Sequence, residues 1–253
     1  MRENRVRRLW AEGRGAVTAW VTIANSYNAE LYAAEDFDAV TVDVQHGMIS
    51  FQQAIEMLQA VSTRSPAPFA RAPWNDPAAI MKLLDGGAYG IVCPMINSAE
   101  ECERFVGACR YAPAGYRSFG PARGVLHGGP DYFEHANSTI VTLAMIETRK
   151  AVDNLAEIVA VPGLDGVYIG PNDLAISLGY KPSGEPVERE VIEATDAIFR
   201  LAKGKGVKVG IHCPSGESAR RRLDQGYDFV AISNDARLLS AAAKRELAAV
   251  RKP

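Results

Sequence analysis

Four short stretches of this chain place polar residues where apolar runs end, and together they could move a proton and hold a cation. In Asp43-Val44-Gln45-His46-Gly47, residues 43 and 45 share a face and His46 falls just beyond the run. A histidine there suits proton transfer; its plainer role is that of a hydrogen-bonded loop residue. Phe69-Ala70-Arg71-Ala72-Pro73 sets an arginine in an apolar run, costly to bury unless it meets an anion. A substrate carboxylate or a developing enolate would satisfy its planar fork, and so would a salt bridge to Asp43. Met145-Ile146-Glu147-Thr148 and Gly170-Pro171-Asn172-Asp173 each finish an apolar run with a carboxylate. On adjacent strands, ~4.8 Å apart, two such carboxylates repel unless a cation or a proton lies between them. Two oxygen ligands, with the other positions left to water and substrate, suit Mg²⁺ or Mn²⁺ far better than zinc. The alternative is that each carboxylate caps the helix that follows it.

These residues need a scaffold that gathers strand ends at one rim. Eight β-branched or apolar runs recur along the chain: 16–23, 39–44, 67–73, 90–96, 139–147, 166–171, 208–214 and 228–234. They do not alternate cleanly with polar residues, as expected of parallel strands covered on both faces. Amphipathic helices lie between them. Several begin at a capping residue (Ser50, Asn97–Ser98, Thr148, Ser215) and several close on glycine (Gly86, Gly206, Gly226). Strand and helix in strict alternation predict one (β/α)₈ barrel domain over residues 1–253, with the active site at the strands' C-terminal ends. An open doubly wound sheet would announce a glycine-rich nucleotide turn, and no G-x-G-x-x-G or P-loop occurs.

Two segments exceed a minimal barrel. Residues 113–137 are rich in Gly and Pro and interrupt the alternation, so a functional loop over a strand's C-terminal end is expected. The last segment, 235–253, gathers Leu238, Leu239, Ala242, Leu247 and Val250 on one side. It either closes the barrel or docks on another subunit.

Composition excludes several roles. A net charge of −2 makes no electrostatic case for nucleic acid or an anionic membrane. No apolar stretch approaches the ~18 residues that span a bilayer, and the basic N-terminus lacks the apolar core of a targeting peptide. Cys93, Cys102, Cys109 and Cys213 show neither zinc-site spacing nor a disulfide framework, which points to reduced thiols in the cytoplasm.

VDVQHG (42–47), FARAPWND (69–76), LLDGGAYGIVCPM (83–95), IETRKAVDNLAEI (146–158) and GLDGVYIGPNDL (163–174) together resemble the HpcH/HpaI aldolases, the class II pyruvate aldolases, over nearly the whole chain. The resemblance implies that Glu147 and Asp173 ligate a divalent metal (Mg²⁺ or Mn²⁺, with Co²⁺ a further candidate), that His46 is the acid/base and that Arg71 stabilises the enolate. Asp85 matches a carboxylate that supports the histidine in the family. Its place at the end of a helix directs it to the barrel's bottom, so either a neighbouring subunit supplies it or Asp43 takes the role. The resemblance further implies a trimer-based homohexamer with exchanged C-terminal helices. Substrate contacts fall to Arg71, Met145, Asn172 and Asp173. Met145 stands where the family often has glutamine, Asn172 where it has alanine and Gln45 where it has an acid. These departures bear on substrate identity more than on the core chemistry.

The implied reaction cleaves or forms a 4-hydroxy-2-keto acid, pairing the enolate of pyruvate or a related 2-keto acid with an aldehyde. Arg123 and His127 of the 113–129 loop, together with His212, are candidates for contact with that aldehyde. A Schiff-base aldolase would need a lysine buried at a strand's C-terminal end, whereas Lys208 starts its run and Lys150 sits in a helix's first turn. Another alternative is a CoA-thioester lyase of the citrate lyase β type, which would need a basic cluster for a large polyanion; a non-catalytic binding barrel would have no reason to place an acid pair, a histidine and an arginine on one rim.

Overall fold

The computed structural model describes residues 1–251. In order, the elements are α1 (Arg5–Ala11), β1 (Ala16–Val21), α2 (Ser26–Ala34), β2 (Ala39–Asp43), α3 (Phe51–Val61), β3 (Ala67–Arg71) and α4 (Pro77–Asp85). There follow β4 (Gly90–Cys93), α5 (Ala99–Cys109), α6 (Ala122–Gly128), α7 (Tyr132–Thr139), β5 (Val141–Ile146), α8 (Arg149–Asp153) and α9 (Leu155–Ile158). The last are β6 (Gly166–Ile169), α10 (Pro171–Ser177), α11 (Arg189–Gly204), β7 (Lys208–Cys213), α12 (Gly216–Asp224), β8 (Phe229–Ile232) and α13 (Asp235–Val250).

The strands close in sequence order into a parallel barrel, β1 to β8 and back to β1. All eight predicted strands form, each shorter at its C-terminal end than its apolar run. Residues such as Thr22, Pro94 and Gly170 continue the chain outward without a ladder partner, and these overhangs build the rim. The barrel interior is filled by Trp20, Phe69, Val92, Leu143, Met145, Tyr168 and Phe229. Trp20 stacks on Tyr168 with centroids 5.6 Å apart, and Phe69 on Phe229 at 5.4 Å. Gly90 leaves the room that Phe69 occupies, since a Cβ there would overlap the ring. Helix α1 plugs the barrel's bottom with Val6, Leu9 and Trp10. A second apolar layer lies between the outer strand faces and the surrounding helices.

The expected caps are in place. Ser50 forms a reciprocal capping box with Gln53, and Ser98, Thr148 and Ser215 each accept from the third residue on. After α4 the left-handed turn residue is Gly87 (φ 100°), Gly86 being the right-handed cap.

One expectation is corrected, and one of two open alternatives falls away. Segment 113–137 lies at the barrel's bottom, because it follows a helix that runs antiparallel to the strands and leads into β5. It folds into α6 and α7, with Arg123 Nη1 donating to the Gly86 carbonyl at 2.8 Å and the His127 ring 4.6 Å from Tyr89. Neither side chain reaches the C-terminal rim. The final helix does not close the barrel. After Asp235, α13 is almost wholly exposed, with Leu239 at 64% and Val250 at 84%, and it packs substantially only on β1. The last two residues of the predicted segment lie outside the described residues. Among the described residues no helix is long and apolar enough to cross a membrane.

Candidate active site

A cavity of about 410 Å³ opens at the C-terminal rim, lined among others by Asp43, His46, Arg71, Met145, Asn172, Asp173, His212 and Arg237. Five of the six residues singled out as acid/base or substrate contacts therefore share one space, and Glu147 lies just beneath it.

Asp43 and Arg71 are paired neighbours in the β2–β3 register. Arg71 Nε donates to Asp43 Oδ1 at 2.8 Å and Nη2 to Oδ2 at 2.5 Å. The Asp43 carboxylate also accepts from the Trp20 indole at 3.2 Å and from the backbone N–H groups of Gln45 (3.1 Å) and His46 (3.2 Å). Burial alone would raise this carboxyl, but the bonds and charge of Arg71, with the N–H donors, outweigh it and hold it below its usual range. The guanidinium carbon lies 5.0 Å from the Trp20 ring centroid. The salt bridge that competed with substrate for Arg71 is thus formed, yet Nη1 has no acceptor among the described residues and Arg71 lines the cavity. Asp43 supports His46 through the backbone of its turn, leaving the imidazole exposed at the mouth.

Glu147 follows β5 directly and is 2% exposed. Its Oε1 accepts from the Met95 N–H at 2.8 Å, and Met95 holds a left-handed backbone (φ 56°) unusual for a residue with a side chain. Gly170 is packed so closely on Oε2 that a Cβ there would overlap it. Thr148, not Glu147, caps α8, which removes the capping explanation for this carboxylate. Burial pushes the Glu147 carboxyl up to about 7; the Met95 N–H opposes this and the charge of Asp173 adds to it. Asp173 occupies the first turn of α10, where a negative charge is also favoured by the helix dipole. No side chain caps α10, and the N–H groups of Asn172 and Asp173 have no acceptor among the described residues.

Two carboxylates from adjacent strand ends, one buried with a single hydrogen bond, fit a hard divalent cation. Among the described residues no cluster of three His, Cys, Asp or Glu side chains could enclose a metal, so water and substrate would complete its shell.

Asp85 is not brought to this cavity. It ends α4 at the opposite rim and accepts from Arg117 Nη2 at 2.7 Å, so it cannot touch His46 of its own chain. Several lining residues went unrecognised in the sequence. Trp20 and Tyr168 belong to the barrel core while also flooring the cavity, and an apolar run gives no sign of the second role. Thr22 and Asn234 stand in overhangs beyond β1 and β8, where polar residues directly after a strand were the available signal, and Arg237 lies in the first turn of α13. His212, expected only as an aldehyde contact, lies against the Trp20 ring at 5.1 Å, with Nδ1 3.3 Å from the Tyr168 hydroxyl. Burial, and then the charge of Arg71, pushes it down to about 4.

Residues 17–242 match the HpcH/HpaI aldolase/citrate lyase family. The chain is 46% identical over 248 residues to a hydroxypyruvate/pyruvate aldolase from Rhizorhabdus wittichii, covering 98% of this chain and 99% of that protein. It is 38% identical over 235 residues to a 4-hydroxy-2-oxo-heptane-1,7-dioate aldolase from Salmonella dublin, covering 92% and 89%. Among solved structures, an HpcH/HpaI aldolase/citrate lyase family protein from Burkholderia cenocepacia J2315 superposes with a TM-score of 0.89 at 26% identity, covering 98% of each chain.

Proposed function

The chain belongs to the HpcH/HpaI aldolase/citrate lyase family, and from that membership we propose that it is a divalent-metal-dependent aldolase that cleaves or forms 4-hydroxy-2-keto acids. The observation that carries this reading is the pairing of buried Glu147 with Asp173 under a cavity that also holds Arg71 and His46. The relatives with 46% and 38% identity bear aldolase names.

When bound between Glu147 and Asp173, a divalent cation supplies a Lewis acid for the keto oxygen of the substrate. The unbonded N–H groups of Asn172 and Asp173 receive the substrate carboxylate, and the apolar Met145 side chain bounds that end of the cavity. In the cleavage direction the His46 imidazole takes the proton of the 4-hydroxyl. The C3–C4 bond breaks, releasing an aldehyde and leaving the enolate of the keto acid. Arg71 Nη1, held in place by the Asp43 pair, stabilises the negative charge that collects on the enolate oxygen. Trp20 and Tyr168 floor the cavity and limit water beneath the reacting carbons. In the reverse direction His46 returns the proton to the new alkoxide.

No observation favours a CoA thioester. Its polyphosphate needs a cationic surface, and the arginines lining the cavity are Arg71, already paired, and Arg237. The exposed apolar face of α13 supports assembly with further copies, read with the family resemblance as a trimer-based homohexamer. Asp85 would reach a His46 only in such an assembly. Four free, buried cysteines accord with a cytoplasmic setting, and residues 1–253 are read as one domain.

The test is pyruvate release from a 4-hydroxy-2-keto acid with Mg²⁺ or Mn²⁺, then with excess EDTA, beside Asp173→Ala. Turnover lost in EDTA and in the variant supports the proposal. Turnover indifferent to EDTA overturns the metal-dependent mechanism, and metal binding without turnover of several such acids shifts the reading to a thioester lyase.

A further inference from the structure

One cation at the cavity is unused by the reaction described above. Arg237, in the first turn of α13, lines the same cavity as Asp173 and His46, yet its guanidinium has no ion pair or hydrogen bond among the described residues. Its backbone is fixed: the Arg237 N–H donates to Asn234 Oδ1 at 2.9 Å. The buried Asp235 carboxylate next to it accepts from Thr22 N (2.8 Å), Thr22 Oγ1 (2.6 Å), Ile23 N (3.0 Å), Asn28 Nδ2 (2.7 Å) and Ala236 N (2.8 Å). That carboxylate is saturated, so it ties the root of α13 to the end of β1 without neutralising Arg237.

Position gives this cation a use. In the closed ring of strands, β1 lies diametrically across from β5. Glu147 follows β5, whereas Thr22 follows β1 and Arg237 follows β8. A keto acid anchored at Glu147, Asp173 and Arg71 therefore sends its far end across the mouth, toward His212, Thr22 and Arg237. His212 presents a neutral ring there, and the charge of Arg237 is felt at it.

We propose that Arg237 selects substrates whose aldehyde fragment ends in an anion, a carboxylate or a phosphate. The inference rests on the aldolase reading and specifies its substrate class. Arg237 contacts the end of the aldehyde remote from the bond that breaks, so it is a specificity residue and not part of the proton chemistry. Because the side chain is solvent-exposed, one charge-assisted contact there is worth about a tenfold preference.

The test is aldol addition of pyruvate to matched aldehydes in the presence of Mn²⁺. Succinic semialdehyde is compared with butanal, and glyceraldehyde 3-phosphate with glyceraldehyde. The expected result is a kcat/KM about tenfold higher for at least one anionic member than for its neutral partner; which pair shows it separates carboxylate from phosphate. Arg237→Gln should bring that ratio toward one, and Arg237→Lys should restore most of it. No preference in either pair, or a preference that survives Arg237→Gln, overturns the proposal. Exchange of pyruvate methyl protons with D₂O by the unaltered enzyme, followed by NMR, tests the parent reading separately. Exchange without charge preference overturns only the role of Arg237, whereas absence of both exchange and addition overturns the aldolase reading with it.

Discussion

Asp43 grips Arg71 fork to carboxylate at the ends of adjacent strands, with Nε–Oδ1 at 2.8 Å and Nη2–Oδ2 at 2.5 Å. The pair is buried, and the same carboxylate takes the N–H groups of the His46 turn. One anion thus orients both groups assigned to the proton and the enolate, while Arg71 Nη1 stays available to substrate.

Removing that anion should damage position before chemistry. Asp43→Asn preserves shape but leaves a buried guanidinium uncompensated, which costs about 3–5 kcal/mol of stability. With Arg71 free to rotate, kcat/KM should fall about a hundredfold, the scale of losing one preorganised donor to a developing oxyanion. Urea unfolding and steady-state kinetics on the same preparation check both. A stability loss with full activity would show that Arg71 holds its place unaided.

Gly170 makes a different claim about Glu147. A methyl group at residue 170 would meet Glu147 Oε2 and approach Met145 Cε to 3.1 Å. Gly170→Ala should therefore displace the carboxylate while the barrel folds normally. Mn²⁺ affinity measured by calorimetry should drop ten- to a hundredfold, about what disturbing a ligand's surroundings does elsewhere. Unchanged affinity would remove Glu147 from the proposed ligand set.

Much of this architecture could be read from the residues. Parallel strands covered on both faces write themselves as unbroken apolar runs, so all eight were found, and carboxylates ending two consecutive runs were bound to meet. Strand lengths were overstated because Thr22 to Ile23 or Pro94 to Ile96 extend past the ladder while staying half-buried or buried. Segment 113–137 was misplaced, although its position after α5 already required the opposite rim. Helices α6 and α7 went unseen because neither has a side-chain cap and α6 carries two glycines. Arg237 was overlooked because its helix was read only for its apolar side.

The raised Glu147 carboxyl predicts how metal and protons compete. Below about pH 7 the metal-free site carries a proton on Glu147, so Mn²⁺ affinity should climb about tenfold per pH unit and level off above 7. A carboxyl raised above its ordinary 4.5 stabilises the metal-free fold fully below that value. That contribution, about 3 kcal/mol at most, is lost as pH rises through about 7. Calorimetry from pH 5.5 to 8.5 reads the first effect. Melting of the metal-free protein beside Glu147→Gln reads the second, and parallel melting curves for the two would refute it.

His212 predicts the opposite limb. Its ring is pushed down to about 4 by burial and by Arg71, so folding holds it neutral. Its contribution to stability is present above the ordinary 6.5 and disappears as pH falls toward 4. His212→Phe should flatten that acid limb relative to the unaltered protein, measured as melting temperature between pH 7.5 and 4. An equally steep limb in the variant would assign the acid sensitivity to other groups, His127 among them.

Assembly is tested by α13 itself. The helix is pinned at Asp235 and then stands clear of its own barrel, presenting Leu238, Leu239, Leu247 and Val250 to solvent. Four large apolar side chains on one unpartnered helix are the signature of a surface covered by another copy. Leu239→Glu with Leu247→Glu places charge on that surface without touching the cavity, so the folded chain should elute from size exclusion with light scattering as a smaller species than the unaltered protein. Since Arg237 and Asn234 stand at the root of the same helix, freeing α13 should also weaken discrimination between anionic and neutral aldehydes. A monomeric unaltered protein, or an assembly indifferent to both charges, would show that α13 is not the contact.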